Sequence, residues 1–140
     1  MIVNTSSIPD LQVEWDGVIQ MRERMKSLVV VTFANGAITA PALAKVVYNL
    51  PLLLAFDVLK QALQQAKLDG RFSCPRDQLG VLMDHAKPTL PWIDWDRLRE
   101  GVRRRNGVAH DGKLFDSHQC LQDIANVEAQ LTAWGIINPD

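Results

Sequence analysis

The chain has 140 residues, 47% hydrophobic and 22% charged, which is enough for one core and too little for two, so residues 1–140 are expected to form a single domain. With 15 basic against 16 acidic side chains the net charge is -1, which excludes a global basic field able to hold nucleic acid or an anionic membrane without specificity. Cys74 and Cys120 lie far apart without further cysteines, which excludes a disulfide framework or a CxxC metal knuckle; both read as reduced thiols. The opening MIVNTSSIPD lacks the basic and apolar regions of a signal peptide, so a cytoplasmic location is expected.

Leu11, Trp15, Val18, Met25, Val29 and Phe33 recur every three or four residues after Pro9 and predict an amphipathic helix whose other face carries Glu14, Arg22, Glu23 and Lys26. Residues 28–31 are β-branched enough for a strand, but no alternating partner strand exists, so they are read as helical. Residues 27–44 carry no charge, near the lower limit for a membrane-spanning helix. Asn35-Gly36 is a turn or helix-stop signal and Pro41 a helix-start signal, so the stretch reads as two helix ends around a loop and no membrane span is expected. Thr39 is a plausible N-cap for a second helix that Asn49-Leu50-Pro51 kinks or restarts.

From 52 to 63 the sequence LLLAFDVLKQAL is apolar nearly all round at first, which predicts burial on more than one side, with a stop near Gly70. A linker, GRFSCPRDQ, leads to a short helix with Leu79, Val81 and Leu82 that ends before Lys87-Pro88. Pro88 and Pro91 make a rigid connection. A fourth helix, IDWDRLREGVRRRNGVAH, places Trp95, Leu98, Val102 and Ala109 on its apolar side and is stopped by Gly112. Asp116 or Ser117 caps a last helix with Leu121, Ile124, Val127, Leu131 and Trp134 inward, and Cys120 on or beside that face. The expected architecture is all-α, a small bundle of four to five helices.

The most unusual local composition is the stretch 97–105, five arginines in nine residues against the single acid Glu100. Arg97, Arg99, Arg103 and Arg104 read as a solvated helix surface, although Arg104 lies beside Arg105, and Arg103 and Arg104 are also the candidates for RNA contacts. Arg105, Asn106 and His110 together offer a fixed cation, a hydrogen-bonding amide and a residue type that exchanges protons near neutral pH. Asn106 and His110 are one turn apart on one face, and Arg105 can wrap toward it. An arginine can hold a phosphate oxygen through two N–H donors while a histidine moves the proton of an adjacent hydroxyl. These are the parts needed to cleave RNA by attack of its own 2′-hydroxyl without a metal or other cofactor. That reaction needs both a base and an acid, and a two-fold dimer packing this helix on its copy would supply a second His110. Read as structure alone, Arg105 would pair with an acid such as Asp111 or Asp116, His110 would cap the helix and Asn106 would satisfy a backbone group.

The segment Arg105-Asn106-Gly107-Val108-Ala109-His110, with four residues between Arg and His and a polar residue directly after the Arg, resembles the signature of the HEPN superfamily. These are small all-α domains, many of them metal-independent ribonucleases that act as toxins, in phage defence or in RNA processing. The resemblance implies that Arg105 contacts the scissile phosphate, Asn106 orients the pair and His110 transfers protons in a cleft shared by a homodimer. It also implies an RNA substrate, and it leaves room for an antitoxin partner, a nucleotidyltransferase or another protein. HEPN toxins paired with a minimal nucleotidyltransferase often carry a tyrosine two residues after the histidine, where Gly112 stands here; the only tyrosine is Tyr48. The rival reading is a non-catalytic HEPN-type interaction or nucleotide-binding module. Trp92 and Trp95 read as core rather than base-stacking residues, His85 and His118 are isolated, and a metal site from His110, Asp116 and His118 lacks a fixed spacing.

Overall fold

A computed structural model describes residues 2–34 and 46–138, with the backbone alone for 28–34. Among the described residues there are five α-helices, one short 3₁₀ turn over Thr5–Ser7 and no strand: α1 (Ile8–Ala34), α2 (Asn49–Leu68), α3 (Leu79–Ala86), α4 (Trp95–Asp111) and α5 (Ser117–Ala133). Residues 28–31 continue α1 as helix, as the missing partner strand implies. The Asn35-Gly36 turn, the Thr39 cap and the Pro41 helix start lie outside the described residues, as do the side chains of Val29 and Phe33. Among the described residues no helix is long and apolar enough to cross a membrane.

The apolar run of α2 dictates the arrangement. Leu52, Ala55, Phe56, Val58, Leu59, Ala62, Leu63 and Ala66 are all buried, and α2 packs against each of the other four helices. A helix apolar on most of its circumference is stable only when neighbours cover it on several sides. On α1, Leu11, Trp15 and Val18 are buried while Glu14, Glu23 and Lys26 are exposed. On α5, Cys120, Ile124, Val127 and Leu131 face inward, and Trp134 is buried just beyond the helix end. The linker after α2 is more than a solvated tether, because Phe72 and Cys74 are buried within it and the Cys74 Sγ–H lies 3.1 Å from the Arg76 carbonyl oxygen.

Local chemistry sets the helix ends. Asp94 caps α4 by accepting from the Arg97 N–H at 3.0 Å, and Asp116 caps α5 by accepting from the Gln119 N–H at 2.8 Å. Gly112 ends α4 in the left-handed region, φ +66°, where a side chain would be strained. Two buried amides then pin the connections. Asn49 donates to the carbonyl oxygens of Val46 and Phe115, both at 2.8 Å, and accepts from the Phe115 N–H at 3.0 Å, tying the α4–α5 loop to the start of α2. Gln130 accepts from the Ile93 N–H at 2.9 Å and donates to the Pro91 oxygen at 3.3 Å, where the Trp134 indole also donates. The indole N–H groups of Trp92 and Trp95 donate to the carbonyl oxygens of Ala86 and Met83, so both rings are half-buried parts of the packing.

Helices α2 and α4 pack tightly together at Gly101. A Cβ added there would lie 2.6 Å from Cζ of the fully buried Phe56. Gly101→Ala is expected to destabilise the fold by about 1–3 kcal/mol through overpacking, read from the urea midpoint. Burial pushes the Cys120 thiol up to about 12, with Asp123 and Asp116 adding to the effect and Arg104 opposing it. Because the folded value is raised, this contribution to stability is complete below the ordinary thiol range and is lost as pH rises toward 12. The alkaline loss of stability between pH 9 and pH 11 is therefore expected to be shallower in Cys120→Ala than in wild type, measured by urea unfolding at each pH.

Candidate functional site

The inward stripe of α4 runs through Leu98, Gly101 and Val102, all buried, and the next position one turn on is Arg105. Ala109, expected on that face, is exposed; the helix turns Arg105 and the half-buried Val108 inward instead. An arginine at a core-facing position must find partners for its guanidinium. Its side chain is 17% exposed; Nη2 donates to Asp57 Oδ1 on α2 at 3.1 Å, and Nη1 donates to Asn106 Oδ1 at 3.2 Å. Arg105 Nε is buried and has no hydrogen-bond partner among the described residues. The partner acid is thus Asp57 rather than Asp111 or Asp116, and Asn106 bonds to Arg105 rather than to a backbone group.

His110 occupies the exposed last turn of α4. It shares with Arg105 and Asn106 a groove of about 510 Å³ between α4, α2 and the start of α3. Lys60, Arg99, Gln78 and Gly80 complete the chemically relevant lining, which contains three fixed cations, one histidine and no carboxylate. The structure therefore brings together the three residues of the motif and adds Lys60 and Arg99. Lys60 carries no signal in the sequence. Arg99, expected on a solvated surface, has a side chain only 20% exposed, and its Nε donates to Asp84 Oδ1 at 3.2 Å.

Arg103 and Arg104 do not line this groove. Arg103 is exposed and pairs with Glu100. Arg104 is also not a solvated cation, because its Nε and Nη2 both bind the carboxylate of Asp123 at 2.7 Å, and that carboxylate is only 1% exposed. The hydrogen bonds to Asp123 push the Arg104 pKa up from its ordinary value, against the opposing effect of burial. Its guanidinium is committed to holding α4 against α5 and is the weaker candidate for an RNA contact. This side of α4 forms a second, open groove lined by Asp94, Asp96, Glu100 and Asp123 together with Arg97 and Arg104.

Among the described residues no group of three or more His, Cys, Asp or Glu is placed to hold a metal ion, so His110, Asp116 and His118 do not assemble. Tyr48 is buried at the start of α2, where desolvation raises its pKa, followed by the charge of Glu23.

Removing one partner of a buried ion pair leaves an uncompensated charge, so Arg104→Ala, which strands the 1%-exposed Asp123 carboxylate, is expected to cost about 3–5 kcal/mol, seen as a lowered denaturation midpoint. Comparison of the chain with protein-family models, with curated proteins and with solved structures found no match.

Proposed function

We propose that the chain is a HEPN-type endoribonuclease that cleaves RNA without a metal, acts as a homodimer and belongs to a toxin or phage-defence setting with an antitoxin partner. The observation that supports it most is the shared groove, in which Arg105, Asn106 and His110 meet Lys60 and Arg99, while the carboxylates that pair with the two arginines, Asp57 and Asp84, stay outside the lining. A polyanion is favoured there, and a proton-transferring group stands at its edge.

In the proposed reaction His110 of one protomer removes the proton of a ribose 2′-hydroxyl as the 2′-oxygen attacks the adjacent phosphorus. The bond between phosphorus and the 5′-oxygen breaks, and that oxygen leaves with a proton from His110 of the second copy. The products are a 2′,3′-cyclic phosphate and a 5′-hydroxyl end. Arg105 stabilises the charge that builds on the equatorial oxygens, with Asp57 and Asn106 fixing its guanidinium plane beforehand. Its unpartnered Nε–H is a donor that the fold leaves unsatisfied.

The test is incubation of the purified protein with total and transfer RNA in EDTA. Wild type is expected to release fragments ending in cyclic phosphate, and His110→Ala and Arg105→Ala to lose at least about a hundredfold in rate while keeping the helical circular dichroism of wild type. Full-strength cleavage by either variant would overturn the proposal. Absence of cleavage by a folded wild-type dimer would favour the binding-module reading.

A further inference from the structure

We infer that Lys60 and Arg99 form a second phosphate-binding subsite beside Arg105 and His110, which holds a neighbouring phosphodiester of the same RNA strand. The inference rests on the ribonuclease reading and adds to it that the substrate is gripped at two consecutive backbone positions from within one protomer.

Three observations support it. Lys60 lines the groove from α2 and makes no hydrogen bond or ion pair among the described residues. Asp57, one turn before it on α2, is engaged by Arg105 instead, so the half-buried Lys60 ammonium keeps its donors for an anion that enters the groove. Arg99, from α4, is anchored by its Nε to Asp84, which leaves both Nη atoms free of hydrogen bonds among the described residues. Those Nη atoms lie over Gly80, where they would be 2.9 and 3.3 Å from an added Cβ. The missing side chain at Gly80 is what lets the guanidinium lie there.

The third observation is electrostatic. Gly80 belongs to the first turn of α3, whose earliest local backbone bond is donated by the Leu82 N–H to the Gln78 oxygen at 2.9 Å, and Gln78 supplies no side-chain cap. The N–H groups before Leu82 carry the positive end of the helix dipole, so a guanidinium held against them is repelled. A phosphate between Arg99, Lys60 and this turn turns the repulsion into attraction from three directions. The groove volume of about 510 Å³ has room for this group as well as one at Arg105.

The experiment measures binding apart from cleavage, using a fluorescein-labelled single-stranded 2′-O-methyl RNA dodecamer that lacks the attacking hydroxyl. Fluorescence anisotropy is recorded from 50 to 200 mM salt for wild type, Lys60→Gln, Arg99→Gln and Gly80→Ala. Lys26→Gln, an exposed lysine on α1 outside the groove, is the control. Each of the first two variants is expected to bind more weakly and to lower the slope of log affinity against log salt by about 0.7, the value for one phosphate contact on a single strand. Gly80→Ala, which pushes the Arg99 guanidinium aside, is expected to follow Arg99→Gln. Competition by millimolar inorganic phosphate that removes this slope difference without displacing the oligonucleotide would assign the subsite to free phosphate instead and overturn the strand reading. Unchanged slopes in Lys60→Gln and Arg99→Gln, an equal loss in Lys26→Gln, or no binding by wild type would each overturn it too. Cleavage of natural RNA by the same preparations is scored separately: retained cleavage with unchanged slopes removes only the subsite. Lowered slopes without any cleavage remove the nuclease and leave a phosphate-binding groove.

Discussion

Everything in this bundle depends on α2 being covered on several sides at once. Its buried side chains meet α1, α3, α4 and α5, so the positions of the other helices are fixed relative to one another through it. That constraint creates the candidate site, because a groove between α4 and α3 with Lys60 at its floor exists only where α2 lies behind both. It also decides what happens to the one acid in the apolar run of α2. Asp57 points out from a helix that has little polar surface, and the guanidinium of Arg105 comes to it.

The two arginines that adjoin in sequence, Arg104 and Arg105, are sent to opposite duties by the 100° step of the helix. Arg104 is locked to the buried Asp123 and holds α4 against α5. Arg105 is held more loosely by the half-exposed Asp57 and by its neighbour Asn106, which engage two of its five N–H groups. A bidentate pair at 2.7 Å is a structural contact with little to spare, whereas a guanidinium oriented by two single bonds keeps donors for something else. Adjacent residues of identical chemistry thus differ in what they can offer a ligand.

The helix ends and the all-α character are legible in the sequence because they are written locally. Asp94, Asp116 and Gly112 mark boundaries through groups within a few residues of themselves. The grouping of Arg105, Asn106 and His110 is legible for the same reason, since one helix carries all three. Partners supplied by other helices are not. Lys60 and Gly80 join the site only through packing, and the roles of Asn49 and Gln130 depend on loops that reach them from far along the chain. A signal does exist for the buried ion pair. Asp123 stands between Cys120 and Val127 on the apolar stripe of α5, and an acid at a core-facing position demands a cation from elsewhere. Ala109 misleads because an alanine carries too little apolar surface to fix the phase of a stripe that Arg105 has already interrupted.

The charge segregation across α4 has a consequence for how a polyanion would arrive. A net charge of -1 gives almost no long-range attraction, yet the groove on one flank of α4 is lined by Lys60, Arg99 and Arg105, with the acids that pair with the arginines outside the lining, and the groove on the other by four acids, Asp94, Asp96, Glu100 and Asp123, against Arg97 and Arg104. Such a molecule exerts a torque rather than a pull. A nucleic acid strand within about 8 Å at physiological salt would be turned away from the α5 side and toward the α3 side before any contact forms. Orientation would then be selected during the encounter itself, without the indiscriminate adhesion that a uniformly basic surface brings.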